Sequence, residues 1–337
     1  MQNHESGWSR TKTRRITLLI VLFILAGSSI VLSLMFGAVK VGFSEVTSIV
    51  TGNHQAPSHS IIWNIRLPRV LIAGLVGMGM ALSGTILQGV LRNPMADPHV
   101  IGVSSGAGLM GVGIILVYPE HREWLVPAAF VGAVSAGTMI YRLAWKNGVS
   151  SVRLILAGVA VSAFLNSGIS GLLTFYSDRV EGALSFMVGS LSAKSWPDVQ
   201  QLFPYTVIGA VIALLSGRWL NVLLLGDGIA KSLGLRVEGL RLFMISLASV
   251  LAASAVSVVG LLGFVGLIVP HLTRILVGNN YRIVLPCAAL IGIIVLETAD
   301  LLSRMIFAPV ELPVGIVMGI MGAPIFLYLL RSKRTMS

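Results

Sequence analysis

The sequence predicts an all-α membrane protein with ten transmembrane helices and both termini in the cytoplasm. Three observations predict it. Apolar types supply 55% of the 337 residues and charged types 11%, against about 25% charged in an ordinary soluble domain. Mean hydropathy is +0.89. The apolar residues gather into runs of about 20, the length that crosses a bilayer, separated by basic segments. A soluble chain of this length would need more polar surface to cover its core, so a cytosolic enzyme is excluded. The same composition excludes disorder. A single cysteine, Cys287, excludes a disulfide framework and any cluster held by several thiolates.

The first span is Ile16–Phe36, uncharged and preceded by Arg10, Lys12, Arg14 and Arg15. Its flanks resemble a signal peptide, but the apolar run is too long and no A-x-A site follows, so it is expected to be retained. Val70–Leu91, His99–Tyr118, Trp124–Tyr141, Leu154–Ser177 and Val199–Gly217 are spans two to six. Gly and Ser in the third suggest close helix packing. Leu242–Thr273 carries no charge over more than one crossing, and Gly260, Gly263, Gly266 and Pro270 fall in its second half. It therefore divides into a seventh span near 242–259 and a shorter eighth near 263–277. Ile283–Ser303 and Leu312–Leu330 complete the ten. Residues 1–15 are then a basic cytoplasmic segment, 16–331 one membrane domain and 332–337 a cytoplasmic tail. The long connections are 37–65 and 178–198 outside and 218–241 inside.

Charge tests the layout. Of 24 Lys and Arg residues, only Lys40, Arg66, Arg69, Arg122, Arg179, Lys194 and Arg304 fall on outer segments. That bias is the positive-inside signature. It accounts for the net charge of +11 without nucleic acid.

Four segments carry candidate chemistry. In 218–241, Trp219–Leu225 is followed by Gly226-Asp227 and then Gly228–Gly234. This predicts two short cytoplasmic helices, with Asp227 capping the start of the second and Gly234 just past its end. They form either a surface hairpin resting on the bilayer or a docking element for a soluble partner. Arg66-Leu-Pro-Arg69 lies at the outer mouth of span two, as interfacial anchors that snorkel or as cations that meet an acidic partner. Glu297 and Asp300 share one face of span nine. They are proton carriers, buried partners of an arginine, or hydrogen-bond acceptors, and Arg304 stands one turn beyond Asp300. Asn93-Pro94-Met95-Ala96-Asp97-Pro98 is a tight inner turn in which Asp97 caps or braces span three. No histidines stand at metal-ligand spacing. Both H-E-x-x-H and G-x-x-x-x-G-K-[ST] are absent, so this chain is not expected to hydrolyse ATP alone.

Ordered motifs along 16–331 then match a known family. They run from Arg66-Leu-Pro-Arg69 and Leu82-Ser-Gly-Thr-Ile-Leu-Gln-Gly through Arg92-Asn-Pro-Met-Ala-Asp97-Pro and Gly102-Val-Ser-Ser-Gly-Ala-Gly108. Leu156-Ala-Gly-Val-Ala160, Gly226–Gly234, Gly263-Phe-Val-Gly-Leu-Ile-Val-Pro-His271, Glu311-Leu-Pro-Val-Gly315 and Gly322-Ala-Pro324 follow. The chain resembles the permease subunits of bacterial ABC importers for iron–siderophores, haem and vitamin B12.

The resemblance implies a ten-helix permease of the cytoplasmic membrane that pairs with a second permease, the same chain or a homologue. Two ATP-binding subunits dock below, and a substrate-binding lipoprotein or periplasmic protein docks above. No cofactor is bound by this chain; ATP and Mg serve the ATPase subunits. Residues 219–235 become coupling helices, with Leu224, Gly226, Asp227, Ala230, Leu233 and Gly234 as the ATPase contact. Arg66, Arg69 and Arg304 match positions that meet the binding protein. Asn93 and Met95 match an inner gate, where the vitamin B12 permease has Leu in place of Met95. Ser151 and Val152 match a second constriction, although Val152 replaces a polar residue, and 179–195 corresponds to an outer gate. The expected cargo is a ferric siderophore, the family's most frequent substrate, with vitamin B12 or haem as alternatives. A reading from another class is a proton-coupled secondary transporter using Glu297 or Asp300; a membrane scaffold fits the motifs least.

Overall fold

The computed structural model describes residues 2–37, 39–52, 55–99, 102–146 and 150–331. The tail 332–337 and the side chains of Arg10, Lys12 and Ser151 lie outside the described residues. In chain order the helices are α1 (Gln2–Met35), α2 (Phe43–Val50), α3 (Leu67–Leu91), α4 (Val103–Val117), α5 (Leu125–Ala144), α6 (Ser151–Phe175) and α7 (Val180–Val188). They continue with α8 (Trp196–Leu215), α9 (Gly217–Leu224), α10 (Asp227–Ser232), α11 (Val237–Val259), α12 (Val265–Val277), α13 (Tyr281–Met305) and α14 (Val314–Arg331). Among the described residues, seven helices are long and apolar enough to cross a membrane: α1, α3, α5, α6, α8, α11 and α13. Three shorter apolar helices are α4, α12 and the Val314–Tyr328 part of α14.

Each apolar run of the sequence is helical over most of its length, and burial sorts the long ones. The apolar stretch of α3 is 83% buried and that of α11 78%, while those of α1 and α6 are 28% and 22%. So α3, α11 and α13 form the centre. The outer helices present apolar residues such as Leu156, Val159, Phe164 and Phe175 of α6 outward, which only lipid or another apolar chain can cover. Small residues set the central crossings. Gly77 of α3 lies against Gly292 of α13, and Gly84 against Gly266 of α12, so closely that a Cβ on either α3 glycine would collide with backbone. Without a hydrophobic drive between helices in lipid, such close backbone approach gains the dispersion contacts that hold them together.

The predicted division of the long apolar run is present. Helix α11 stops at Gly260, φ +88°, and α12 begins after Phe264. The freed backbone groups pair with neighbouring breaks. Ser190 N–H donates to the Val259 carbonyl (2.8 Å), Leu261 N–H to Phe186 (2.9 Å) and Gly315 N–H to Gly189 (3.0 Å). This is how irregular backbone survives inside a bundle that water does not reach.

Two predicted connections hold more structure than expected. In 37–65, α2 buries Val46 and Ile49 with Leu34, Val41, Ile62 and Val70 in a small second core, and a π-helical turn, Ile61–Arg66, leads into α3. In 178–198, α7 buries Ala183 and Phe186. Both helices are too short and too mixed to register as apolar runs.

Candidate functional site

Two charged clusters lie at opposite ends of α3. The first gathers Arg66, Arg69, Asp300, Arg304 and Glu311. Asp300 is fully buried and central. Arg69 donates Nε and Nη2 to its carboxylate (3.0 and 2.9 Å) and Nη1 to Glu311 (2.7 Å). Arg304, one turn on, brings Nε to 3.1 Å from the other Asp300 oxygen. Its Nη atoms donate to the Phe36 and Ser33 carbonyls, both at 3.1 Å. Arg66 donates to Leu34 (2.6 Å), Met35 and Val39. The last carbonyls of a helix lack intrahelical partners, and here Arg66 and Arg304 satisfy those of α1. Glu311 also accepts from Ser192 Oγ at 3.2 Å, which ties the segment after α7 into the network. Burial pushes the Glu311 carboxyl up, but the hydrogen bond and charge of Arg69 outweigh it and hold the group below the usual range.

The expectation of an exposed cationic mouth is therefore corrected. Arg66, Arg69 and Arg304 are 5%, 7% and 5% exposed, and their hydrogen bonds point inward. The physical reason is that α1 ends here with open carbonyls while α13 supplies a buried acid, so each guanidinium has partners within the chain. Of the readings left open for the acids, Asp300 is a buried arginine partner. Glu297 differs. It is fully buried, and among the described residues neither oxygen has a well-formed hydrogen bond; it faces Gly74 of α3 and has the Ser33 hydroxyl as a polar neighbour.

The second cluster holds the short helices in place. Gly234, φ +81°, ends α10: its N–H bonds the Lys231 carbonyl and the Leu235 N–H bonds Ala230. That pair is a Schellman motif, with glycine at the position expected from the sequence. Asp227 is not the N-cap; Gly226 is. The Asp227 carboxylate turns away and takes Arg241 Nη2 on both oxygens (3.0 and 3.1 Å) and Arg92 on one. Partial burial pushes this carboxyl up, but the bonds and charges of Arg241 and then Arg92 outweigh it and hold it below the usual range. Arg241 also reaches Glu238 at 3.2 Å.

Helix α9 is fastened separately. Asn221 donates to Asn280 (2.9 Å) and accepts from the Tyr281 N–H (2.8 Å) at the start of α13. Of the predicted coupling residues, Ala230 is fully buried and Leu224 half-buried. The apolar groups this pair presents outward are Leu225, Ile229 and Leu233.

In the predicted gate turn, Asn93 Oδ1 accepts from the Met95 N–H at 2.9 Å, and Met95 is exposed. Val152 is exposed in the first turn of α6. Asp97 does not cap α4, whose N-cap is Gly102; it is buried beside Gly266 of α12. The sequence reading assigns no pairing to Glu311, Ser192, Arg92 or Arg241, because the partners that hold them are mostly distant in the chain. Among the described residues no group of three or more His, Cys, Asp or Glu is placed to hold a metal ion.

A family model described as the FecCD transport family matches residues 12–332. The Fe(3+)-citrate import system permease protein YfmE of Bacillus subtilis (strain 168) is 39% identical over 93% of this chain and 95% of its own length. The hemin transport system permease protein HmuU of Yersinia pestis is 40% identical over 94% of this chain and 95% of its own. A solved structure of a metal-chelate type ABC transporter in an inward-facing conformation superposes with a TM-score of 0.81 at 30% identity, covering 93% of this chain and 98% of that one.

Proposed function

The chain belongs to the FecCD transport family, and we propose that it carries a ferric siderophore across the bacterial cytoplasmic membrane. It is an ABC importer permease of that family and a multi-pass membrane protein. ATP hydrolysis belongs to a separate subunit. The seven long helices plus α4, α12 and α14 make ten crossings, with both termini and the α9–α10 pair cytoplasmic. The partners are two ATP-binding subunits, a second permease and a substrate-binding lipoprotein or periplasmic protein.

The observation that carries this reading is the α9–α10 pair. It holds Leu225, Ile229 and Leu233 exposed at the end where Asn93 and Met95 form the gate turn. An apolar patch on a soluble-facing surface marks a docking site, and this one suits the ATPase. Val152 and Ser151 form the second constriction. At the opposite end the binding protein docks on a face that the buried Arg66, Arg69 and Arg304 shape from beneath. A bulky chelate cannot cross a static pore without ion leakage, so the pathway alternates between states that ATP binding biases through the docked helices.

The siderophore is favoured over vitamin B12 and haem because siderophores are the family's most frequent cargo. Sequence identity does not choose, being equal within a point for ferric citrate and hemin relatives. A second reading has one observation in its favour. Among the described residues, Glu297 is a buried acid without a well-formed hydrogen bond, the kind of intramembrane acid a proton-coupled transporter uses.

Purification from the native membrane tests both. An ATPase, a second permease and a lipoprotein are expected to co-purify, and the lipoprotein is expected to bind ferric siderophores more tightly than ferric citrate, haem or vitamin B12. Preference for another of these ligands overturns the cargo. Absence of an ATPase, with uptake driven by a pH gradient alone, overturns the importer and favours Glu297.

A further inference from the structure

The cluster of Arg92, Asp227 and Arg241 joins α10 to the ends of α3 and α11, two helices already packed together at the centre. Asp227 is the first residue of α10. Arg241 stands in the first turns of α11, its guanidinium nearly sealed at 8% exposure. Arg92 is the residue that ends α3, and it does so in the left-handed region, φ +47°. That conformation is uncommon outside glycine, asparagine and aspartate. Next to it the chain is held tightly: Asn93 N–H donates to the Gln88 carbonyl (3.2 Å), Ala96 N–H to Asn93 (3.1 Å), and Met95 N–H to the Asn93 side chain. Gln88 is itself gripped by Arg274. Arg92 to Met95 is therefore one rigid corner, and its long side chain is a lever reaching to α10.

The two short helices are anchored differently. Neutral side-chain bonds tie α9 to α13 through Asn221 and Asn280. Helix α10 is tied to its surroundings by the Asp227 carboxylate, which is 42% exposed, as Arg92 is 37%. An ion pair that solvent reaches shifts its geometry at little cost, so Arg92 stays on Asp227 as α10 moves while Arg241 holds the same carboxylate from the other side.

We propose that Arg92 is a positioning residue that carries displacement of α10 to the Asn93–Met95 gate turn through Asp227. It deepens the importer reading and rests on it. The ATPase moves α10, the Asp227 carboxylate moves with α10, and the Arg92 guanidinium follows and turns the corner that bears Met95. A purely structural staple would hold the same bonds without passing on motion, so the test reads motion.

Cys287, the chain's only cysteine, is buried, so Met95→Cys supplies a single exposed reporter. The assembled importer, with its ATPase subunits and second permease, is labelled with a membrane-impermeant maleimide with and without ATP. Labelling of Met95→Cys is expected to change rate when ATP binds. Adding Arg92→Gln is expected to cut that change about fivefold or more, the lower range of coupling between linked sites, with the ATPase still bound. Adding Arg92→Lys, which keeps the cation, is expected to retain most of it. A full ATP response in Arg92→Gln overturns the proposal. Loss of the ATPase from Arg92→Gln also overturns it, because Arg92 would then be a docking residue. An ATPase that never binds the unaltered permease overturns the importer reading, and the lever with it.

Discussion

Asp300 and Asp227 each hold two arginines, and they sit at the two ends of α3. Asp300 is sealed, and its partners Arg69 and Arg304 are sealed with it. Asp227 is half in solvent, and of its partners only Arg241 is buried. The same chemistry serves opposite purposes in the two places. Removing one member of a buried pair strands a charge in a medium that cannot solvate it, so the Asp300 network is fixed once folded. An exposed pair is worth little in either state, so the Arg92–Asp227 pair moves with α10 at little energetic cost. A transporter that alternates needs both, one end of its central helix clamped and the other yielding.

The largest expected effect breaks the clamp. Asp300→Ala removes the acid shared by Arg69 and Arg304, leaving Arg69 with only the half-exposed Glu311 and Arg304 with two carbonyls, and is expected to cost about 3–5 kcal/mol of stability, read as earlier unfolding of the purified complex in denaturant. Next is Asp227→Asn. Asn keeps an Oδ1 for Arg241, which also retains Glu238, so the change is expected to cost clearly less stability than Asp300→Ala while reducing the ATP-dependent labelling of Met95→Cys as strongly as Arg92→Gln does. Glu297→Gln comes third. Among the described residues no well-formed hydrogen bond holds this acid, so ATP-driven uptake without a pH gradient is expected to persist; its loss would favour proton coupling.

The smallest effect is that of pH on the yielding end. The folded Asp227 carboxyl is held below the usual range. Its contribution is present above the ordinary carboxylate value and fades only as pH falls through the lower folded one. The ATP response of Met95→Cys is therefore expected to be flat between about pH 5.5 and 8, well above a carboxylate's usual value near 4.

Much of this was legible in the sequence where a local rule applied. Apolar runs gave the long helices, glycines at 260 and 263 with Pro270 located the break after α11, and Gly234 announced the end of α10. The charged networks were not legible, for a reason of distance. Arg69 and Asp300 are 231 residues apart and Arg92 and Asp227 are 135 apart, and no periodicity links them. Arg66, Arg69 and Arg304 look like a surface triad in one dimension. Their burial depends on where α1 stops, which decides that open carbonyls await them. Asp227 reads as an N-cap because it follows a glycine at a helix start, but Arg92 and Arg241 compete for its carboxylate and win, since two cations outweigh one backbone N–H.

One end of α3 is thus a clamp and the other a lever. The direct test measures denaturant stability and ATP-dependent Met95→Cys labelling together for Asp300→Asn and Asp227→Asn in the same assembled complex. A crossover is expected: Asp300→Asn loses stability severely, while Asp227→Asn keeps most of its stability and loses the ATP response. If Asp227→Asn destabilises as much as Asp300→Asn yet still responds to ATP, both ends are clamps and the account is wrong.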